Sequence, residues 1–111
     1  MKRTGIVCGV LVLFIAPMAL AGGGGNVAAG KDTFMKKCAV CHKADGSGND
    51  AIAKAMNVKI PPLSSPEVQK LTDAEMTKVI KEGKGKMLPV KDLSAADIAN
   101  VIAFTRTLKG K

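Results

Sequence analysis

Apolar and polar positions alternate along this chain at helical, never strand-like, spacing. After a long apolar opening run, the stretch from Val27 to about Cys41 suits a helix, with Phe34 and Met35 as its bulky apolar residues and the cysteines on its last turn. Ala44 to Asp50, "ADGSGND", is a turn-rich loop. Ala51 to Met56 fits a short helical turn. Ile60 to Ser65, "IPPLSS", is extended, because paired prolines forbid regular helix. Ser65-Pro66-Glu67 places a cap before a proline in the first helical position, which opens a short turn. Thr72 opens a further helix: Glu75 completes a capping box, Met76, Val79 and Ile80 line one face, and Gly83 stops it. Ser94 with Asp97 caps the last helix, whose Ile98, Val101, Ile102, Thr105 and Leu108 form one stripe. No internal repeat is visible.

The opening run changes the accounting. Lys2 and Arg3 precede "GIVCGVLVLFIAPMALA", which ends in the small-x-small pattern Ala19-Leu20-Ala21. This is the layout of a secretory signal, and cleavage is expected after Ala21. The competing reading is a retained anchor, since no charge stands between Arg3 and Lys31. Pro17 and the four glycines Gly22 to Gly25 argue against it by ending the apolar helix early. The expected division is a signal peptide at 1–21, a flexible glycine-rich lead-in at 22–27 and one domain at 28–111. Cys8 leaves with the signal. Cys38 and Cys41 remain, in a compartment outside the cytoplasmic membrane, and the net charge falls from +8 to +6. A domain this short, with two phenylalanines, Phe34 and Phe104, and no tryptophan or tyrosine, has little from which to build a core. Such domains lean on disulfides, metals or a cofactor.

"CAVCH", Cys38 to His42, holds both remaining cysteines and the sole histidine. A zinc site wants about four ligands and is one short here. A thioredoxin-like dithiol expects a preceding strand and a βαβ setting, and neither is visible. A structural disulfide makes His42 a coincidence. The C-x-x-C-H pattern of covalent haem attachment uses all three residues. On a helix end Cys38 and Cys41 share a face, so their sulfurs can add to the two haem vinyl groups. His42 then falls beneath the porphyrin as proximal iron ligand.

A second axial ligand is sought among Met35, Met56, Met76 and Met87. Met76 sits on an apolar stripe, where core packing is the default. Met35 lies on the cysteine helix, on the wrong side for a distal ligand. Met87 stands in "EGKGKMLPVKD", between helices, with Gly83 and Gly85 before it and Pro89 after it. Such a loop brings backbone close to a flat ligand and holds a thioether in place. Met87 is therefore the expected distal ligand, with Met56, before the proline-rich segment, as the alternative.

On "CAVCH", "KMLP" and "SAADIANVIAFTRTL", the sequence resembles the small, soluble, monohaem class I c-type cytochromes of bacteria. The resemblance covers nearly all of the expected mature chain. It implies an all-α fold of three to five helices around one covalently bound haem c, with the first and last helices crossing near Gly30, Phe34 and Phe104. It carries over Cys38 and Cys41 as the covalent anchors and His42 and Met87 as axial ligands. Leu88 stands where the family often has proline directly after the methionine. Phe104 replaces an aromatic that is often tyrosine. The family often orients its proximal histidine through a proline carbonyl, for which Pro61, Pro62 or another carbonyl between His42 and Leu63 would serve.

With both axial positions filled, no place remains for substrate. The expectation is a periplasmic, monomeric electron shuttle between respiratory redox partners, not an enzyme. A haem-based sensor or small-ligand-binding module is the alternative, and a thiol–disulfide oxidoreductase a further one. Lys36, Lys37 and Lys43 flank the cysteines, and Lys84, Lys86 and Lys91 surround Met87. A basic collar of this kind suits an acidic docking surface on an oxidase, reductase or peroxidase. Nucleic acid is not an expected partner, and membrane association is expected only with an uncleaved signal.

Overall fold

Side chains that bond to nearby backbone decide where the helices begin. In the computed structural model, which describes residues 24–111 together with Gly5 and Gly9, the rest of the expected signal peptide, its cleavage site, Cys8 and the start of the lead-in lie outside the described residues. Six helical segments follow in order: α1 (Val27–Lys37), α2 (Ala39–His42), α3 (Asp50–Met56), α4 (Pro66–Gln69), α5 (Asp73–Glu82) and α6 (Ala95–Arg106). Among the described residues the only β pairing is an isolated bridge between Lys84 and Met87. The fold is all-α, as expected.

Both capping boxes form. Thr72 accepts from the Glu75 N–H at 3.1 Å, and the Glu75 carboxylate accepts from the Thr72 N–H at 2.7 Å. Ser94 and Asp97 repeat the pattern at 3.1 and 2.9 Å. Each box satisfies two donors that a helix start leaves unpaired. Ser65 caps α4 with Pro66 in its first turn, and Gly83 ends α5 at φ 77°.

One boundary departs from expectation. The cysteine helix is not continuous to Cys41. At Cys38 the backbone opens to φ −117°, α1 stops at Lys37, and α2 resumes as a single turn of four residues. The Cys38 N–H still donates to the Phe34 carbonyl (2.8 Å) and the His42 N–H to the Cys38 carbonyl (3.0 Å), so the chain keeps its direction through the break. This single turn and the equally short α4 raise the number of segments to six.

The core lies where α1 crosses α6. Phe34, Val101, Phe104 and Leu108 form one buried cluster, with the Phe34 and Phe104 rings 5.0 Å apart at a tilt of 55°. Met76, Ile98 and Ile102 form a second between α5 and α6. Ile80 of α5 packs against both. The whole predicted stripe of the last helix is buried, Leu108 included although it lies beyond the end of α6. Seven apolar side chains make up the buried core of the described residues, and only Phe34 falls below 2 % exposure. At about 1.5–3 kcal/mol for each large apolar side chain buried, this is a thin reserve against backbone ordering.

Arg106 closes the far end of the domain. Its guanidinium donates to the carbonyls of Gln69 (2.7 Å) and Leu71 (2.6 Å) and to the Asp73 carboxylate (2.8 Å). Gln69 donates its amide to the Leu63 and Thr105 carbonyls at 2.7 and 2.9 Å. The α4–α5 junction is thereby fixed to α6.

Candidate functional site

Cys38, Cys41 and His42 sit at the break between α1 and α2, all three half-buried. Cys38 packs against the Phe34 cluster, so the base of the site rests on the core. Both thiols are free. Burial, reinforced by Cys41, pushes the Cys38 thiol up to about 11. It is protonated at neutral pH, whereas a catalytic dithiol needs a depressed thiol pKa. Burial thus works against the thiolate form of Cys38 that thiol–disulfide exchange would need. Burial also lowers the pKa of His42 and keeps its imidazole neutral, the form that binds iron.

The loop after His42 does more than the sequence showed. It folds back over α2: the Asn49 N–H donates to the Cys41 carbonyl (2.8 Å) and the Gly48 N–H to the His42 carbonyl (2.9 Å). The Asn49 side chain donates to the Val40 carbonyl (3.2 Å) and accepts from the Ile52 N–H (3.2 Å), so one residue ties α2 to the start of α3. Gly48 has φ 91°, and a Cβ there would lie 2.9 Å from the Ile60 carbonyl oxygen. An asparagine three residues before Ile52 is a legible cap signal, but its bond to Val40 carries no local signature.

Neither Pro61, Pro62 nor another carbonyl between His42 and Leu63 accepts a hydrogen bond from His42 Nδ1. The Pro62 carbonyl accepts from the Ser65 N–H at 3.0 Å. His42 Nδ1 is buried and has no hydrogen-bond partner. Buried polar atoms of this kind are uncommon and call for an explanation. Two free thiols beside a neutral imidazole fit a haem c site. Zinc fits less well: no group of three or more His, Cys, Asp or Glu side chains gathers among the described residues.

Met87 lies in a separate loop. Lys84 and Met87 exchange backbone hydrogen bonds of 3.0 and 2.9 Å across Gly85 and Lys86. Gly85 has φ 57°, which places glycine at the first central position of a two-residue hairpin. The Val90 N–H donates to the Ile80 carbonyl at 2.9 Å. Since Ile80 packs against the cluster that also receives Cys38, one body of core supports both segments. Met87 is half-buried, while Leu88 is 76 % exposed. Met56, half-buried at the end of α3, accepts a hydrogen bond at its carbonyl from Lys86. The two candidate methionines therefore belong to adjoining segments. Met76 is a core residue, as expected, and Met35 is exposed on α1.

Two surface grooves lie outside the cysteine turn. One, of about 360 Å³, runs between α5 and α6 past Thr77, Leu93 and Ile98. The other, of about 310 Å³, runs from Leu71 and Val79 to Gly83 and Lys84, beside the Met87 turn. No helix among the described residues is long and apolar enough to cross a membrane.

A family model described as cytochrome c oxidase, cbb3-type, subunit III matches residues 25–104. The chain belongs to this family. The match begins at Gly25 and ends at Phe104, so it takes in the cysteine turn, the Met87 hairpin and the helix crossing that underlies both. The cytochrome c subunits of alcohol dehydrogenase (quinone) from Gluconacetobacter polyoxogenes and Komagataeibacter europaeus are each 35% identical over 102 residues, 78% of this chain and 20% of theirs. The chain thus spans about a fifth of the length of these curated relatives. Among solved structures, the KustC0563 c-type cytochrome superposes with a TM-score of 0.62 at 24% identity, covering 72% of this chain and 96% of its own. That likeness concerns the fold. As a c-type cytochrome domain of the cbb3 subunit III family, the chain is an electron carrier whose family implies haem c.

Proposed function

We propose that this domain holds one haem c through thioether bonds from Cys38 and Cys41, with His42 and Met87 as the axial iron ligands, and shuttles single electrons between redox proteins outside the cytoplasmic membrane. The observation that carries this is the α1–α2 break, where two free, half-buried thiols and a half-buried, neutral imidazole stand within five residues. Haem c supplies the one-electron chemistry. Cys38 and Cys41 would hold the group covalently as thioethers. His42, kept neutral by burial, offers its imidazole from the same turn. Met87, next to the Gly85–Lys86 turn, would offer its thioether, which favours the reduced metal. With small rearrangement on either side, the task that remains is electron exchange.

Partners are read from charge. Lys36, Lys37 and Lys43 are exposed around the cysteine turn, and Lys84, Lys86 and Lys91 around Met87. Val40 and Leu88, 68 % and 76 % exposed, stand apolar among them. Exposed lysines near both expected ligand segments suit an acidic face on an oxidase, reductase or peroxidase.

The visible absorption spectrum of the purified protein, before and after acid–acetone extraction, tests this reading. Low-spin haem bands that stay with the protein are expected. Haem that leaves with the solvent would refute covalent attachment, a high-spin spectrum would favour a ligand-binding module, and a spectrum without haem bands would sink the proposal.

A further inference from the structure

The turn that presents Met87 hangs from a single helix. At one stem the Gly83 N–H donates to the Val79 carbonyl (2.8 Å), and at the other the Val90 N–H donates to the Ile80 carbonyl (2.9 Å). Both acceptors belong to α5. The bonds between Lys84 and Met87 fix the shape of the turn but join it to nothing else. Both of these stem bonds therefore come from α5.

One hydrogen bond among the described residues crosses from this turn to α3. Lys86 Nζ donates to the carbonyl of Met56, thirty positions earlier in the chain. Met56 is the last residue of α3, and the carbonyls at a helix end lack partners within the helix. The chain meets those of Ala53 and Lys54 itself, through the Asn57 N–H. It leaves the Met56 carbonyl to Lys86. The donor carries a full charge, and charge-assisted bonds are the stronger kind. Lys86 also directly precedes Met87, so movement of one is felt at the next residue.

We infer that Lys86 is a positioning residue for the distal ligand: its ammonium fastens the Met87 turn to the end of α3 and holds the thioether in place. The inference rests on the reading of Met87 as an axial ligand. It gives Lys86 a role distinct from that of the other lysines around the site, which have no such bond. Holding a ligand in its bound geometry reduces the ordering cost of coordination. Loss of the tether should therefore appear as easier displacement of Met87, even in a protein that folds and keeps its haem.

The test is titration of the ferric holoprotein with imidazole, followed by loss of the far-red sulfur-to-iron band. Imidazole is neutral, so its affinity reports ligand retention more than charge. Lys86→Met, which keeps the apolar stem but no donor, should bind imidazole roughly three- to tenfold more tightly than the parent, on the scale of an exposed hydrogen bond from a charged group. Lys86→Arg, which keeps a donor, should lie nearer the parent. Affinity of Lys86→Met within twofold of the parent, or Lys86→Arg as weakened as Lys86→Met, overturns the tether. Met87→Ala separates the two readings. If it retains the far-red band, the ligand assignment itself fails. If it loses the band while Lys86→Met binds imidazole like the parent, the assignment stands and only the tether falls.

Discussion

Gly30 lies beneath the backbone of Asn100 so closely that a Cβ on it would stand 1.8 Å from the Asn100 carbonyl oxygen. A real contact of that length does not exist, so any side chain must drive α1 and α6 apart. Gly25 makes a similar approach to the Ala99 carbonyl, at 2.1 Å. Between them the Asn26 N–H donates to the Asn100 side chain at 2.8 Å. Gly30→Ala should destabilise the domain by about 3 kcal/mol or more, at the upper end of overpacking costs. The denaturant midpoint of the holoprotein checks this. A midpoint unchanged from the parent would mean that the crossing is looser than drawn.

Met87 and Met56 are to be separated by substitution. Met87→Ala should keep the haem covalently attached, open a coordination position and lower the reduction potential, because the thioether that favours ferrous iron is gone. Met56→Ala should leave the far-red band in place and change stability modestly, as its side chain is half-buried. Spectra of the two variants decide the matter. The reverse pattern would assign the ligand to Met56.

Electron transfer to the physiological partner should slow as salt rises. Screening acts over about 10 Å at 0.1 M ionic strength, so attraction between a basic rim and an acidic face weakens through the physiological range. Stopped-flow rates against ionic strength supply the measurement. A flat or rising profile would reduce the lysines to a solvated surface.

Acid stability should depend on the Asp45–Ser47 turn. The Ser47 hydroxyl donates to the Asp45 carboxylate at 2.6 Å and the Ser47 N–H at 2.9 Å, and these bonds hold the carboxyl below its ordinary pKa. A group depressed in the folded state binds its proton less readily there than in the unfolded chain. Its stabilising contribution is therefore present above the unfolded pKa, near 4, and is lost as pH falls through the lower folded value. Ser47→Ala should diminish this contribution and make the acid limb of the stability curve shallower. An unaltered acid limb would exclude a role for the turn.

Arg106 should matter more than the carboxylate it touches. Arg106→Ala strips donors from two backbone carbonyls as well as from Asp73, and should cost about 2 kcal/mol. Asp73→Ala removes one partner of a pair whose side chains are 31% and 36% exposed, and should cost under about 1 kcal/mol. Thermal unfolding of the two variants ranks them.

The order of these effects also shows what could be read in the sequence. The starts of α4, α5 and α6 were legible in Ser65-Pro66, Thr72 with Glu75 and Ser94 with Asp97, because a capping side chain meets backbone only a few residues away. The stripe from Ile98 to Leu108 was legible for the same local reason. "CAVCH" stood out through the spacing of scarce residues, not through any contact. The break at Cys38 was not legible, since nothing in "KKCAV" disfavours helix strongly. Nor was the bond from Lys86 to Met56 or the grip of Arg106 on Leu71, which join positions 30 and 35 apart. Such pairs are fixed by how whole helices meet, and neither member marks the other.

Phe34 and Phe104 share one cluster, and Asn26 bonds to Asn100 across 74 positions. Contacts of such separation close only after a long loop has been ordered. During synthesis Phe34 emerges well before Val101, Phe104 and Leu108 exist to receive it. Until α6 is in place the domain lacks the cluster against which Cys38 packs, so the cysteine turn has no core beneath it. The crossing that completes the fold also sets a deadline, after which modification of Cys38 and Cys41 must proceed on a closing structure.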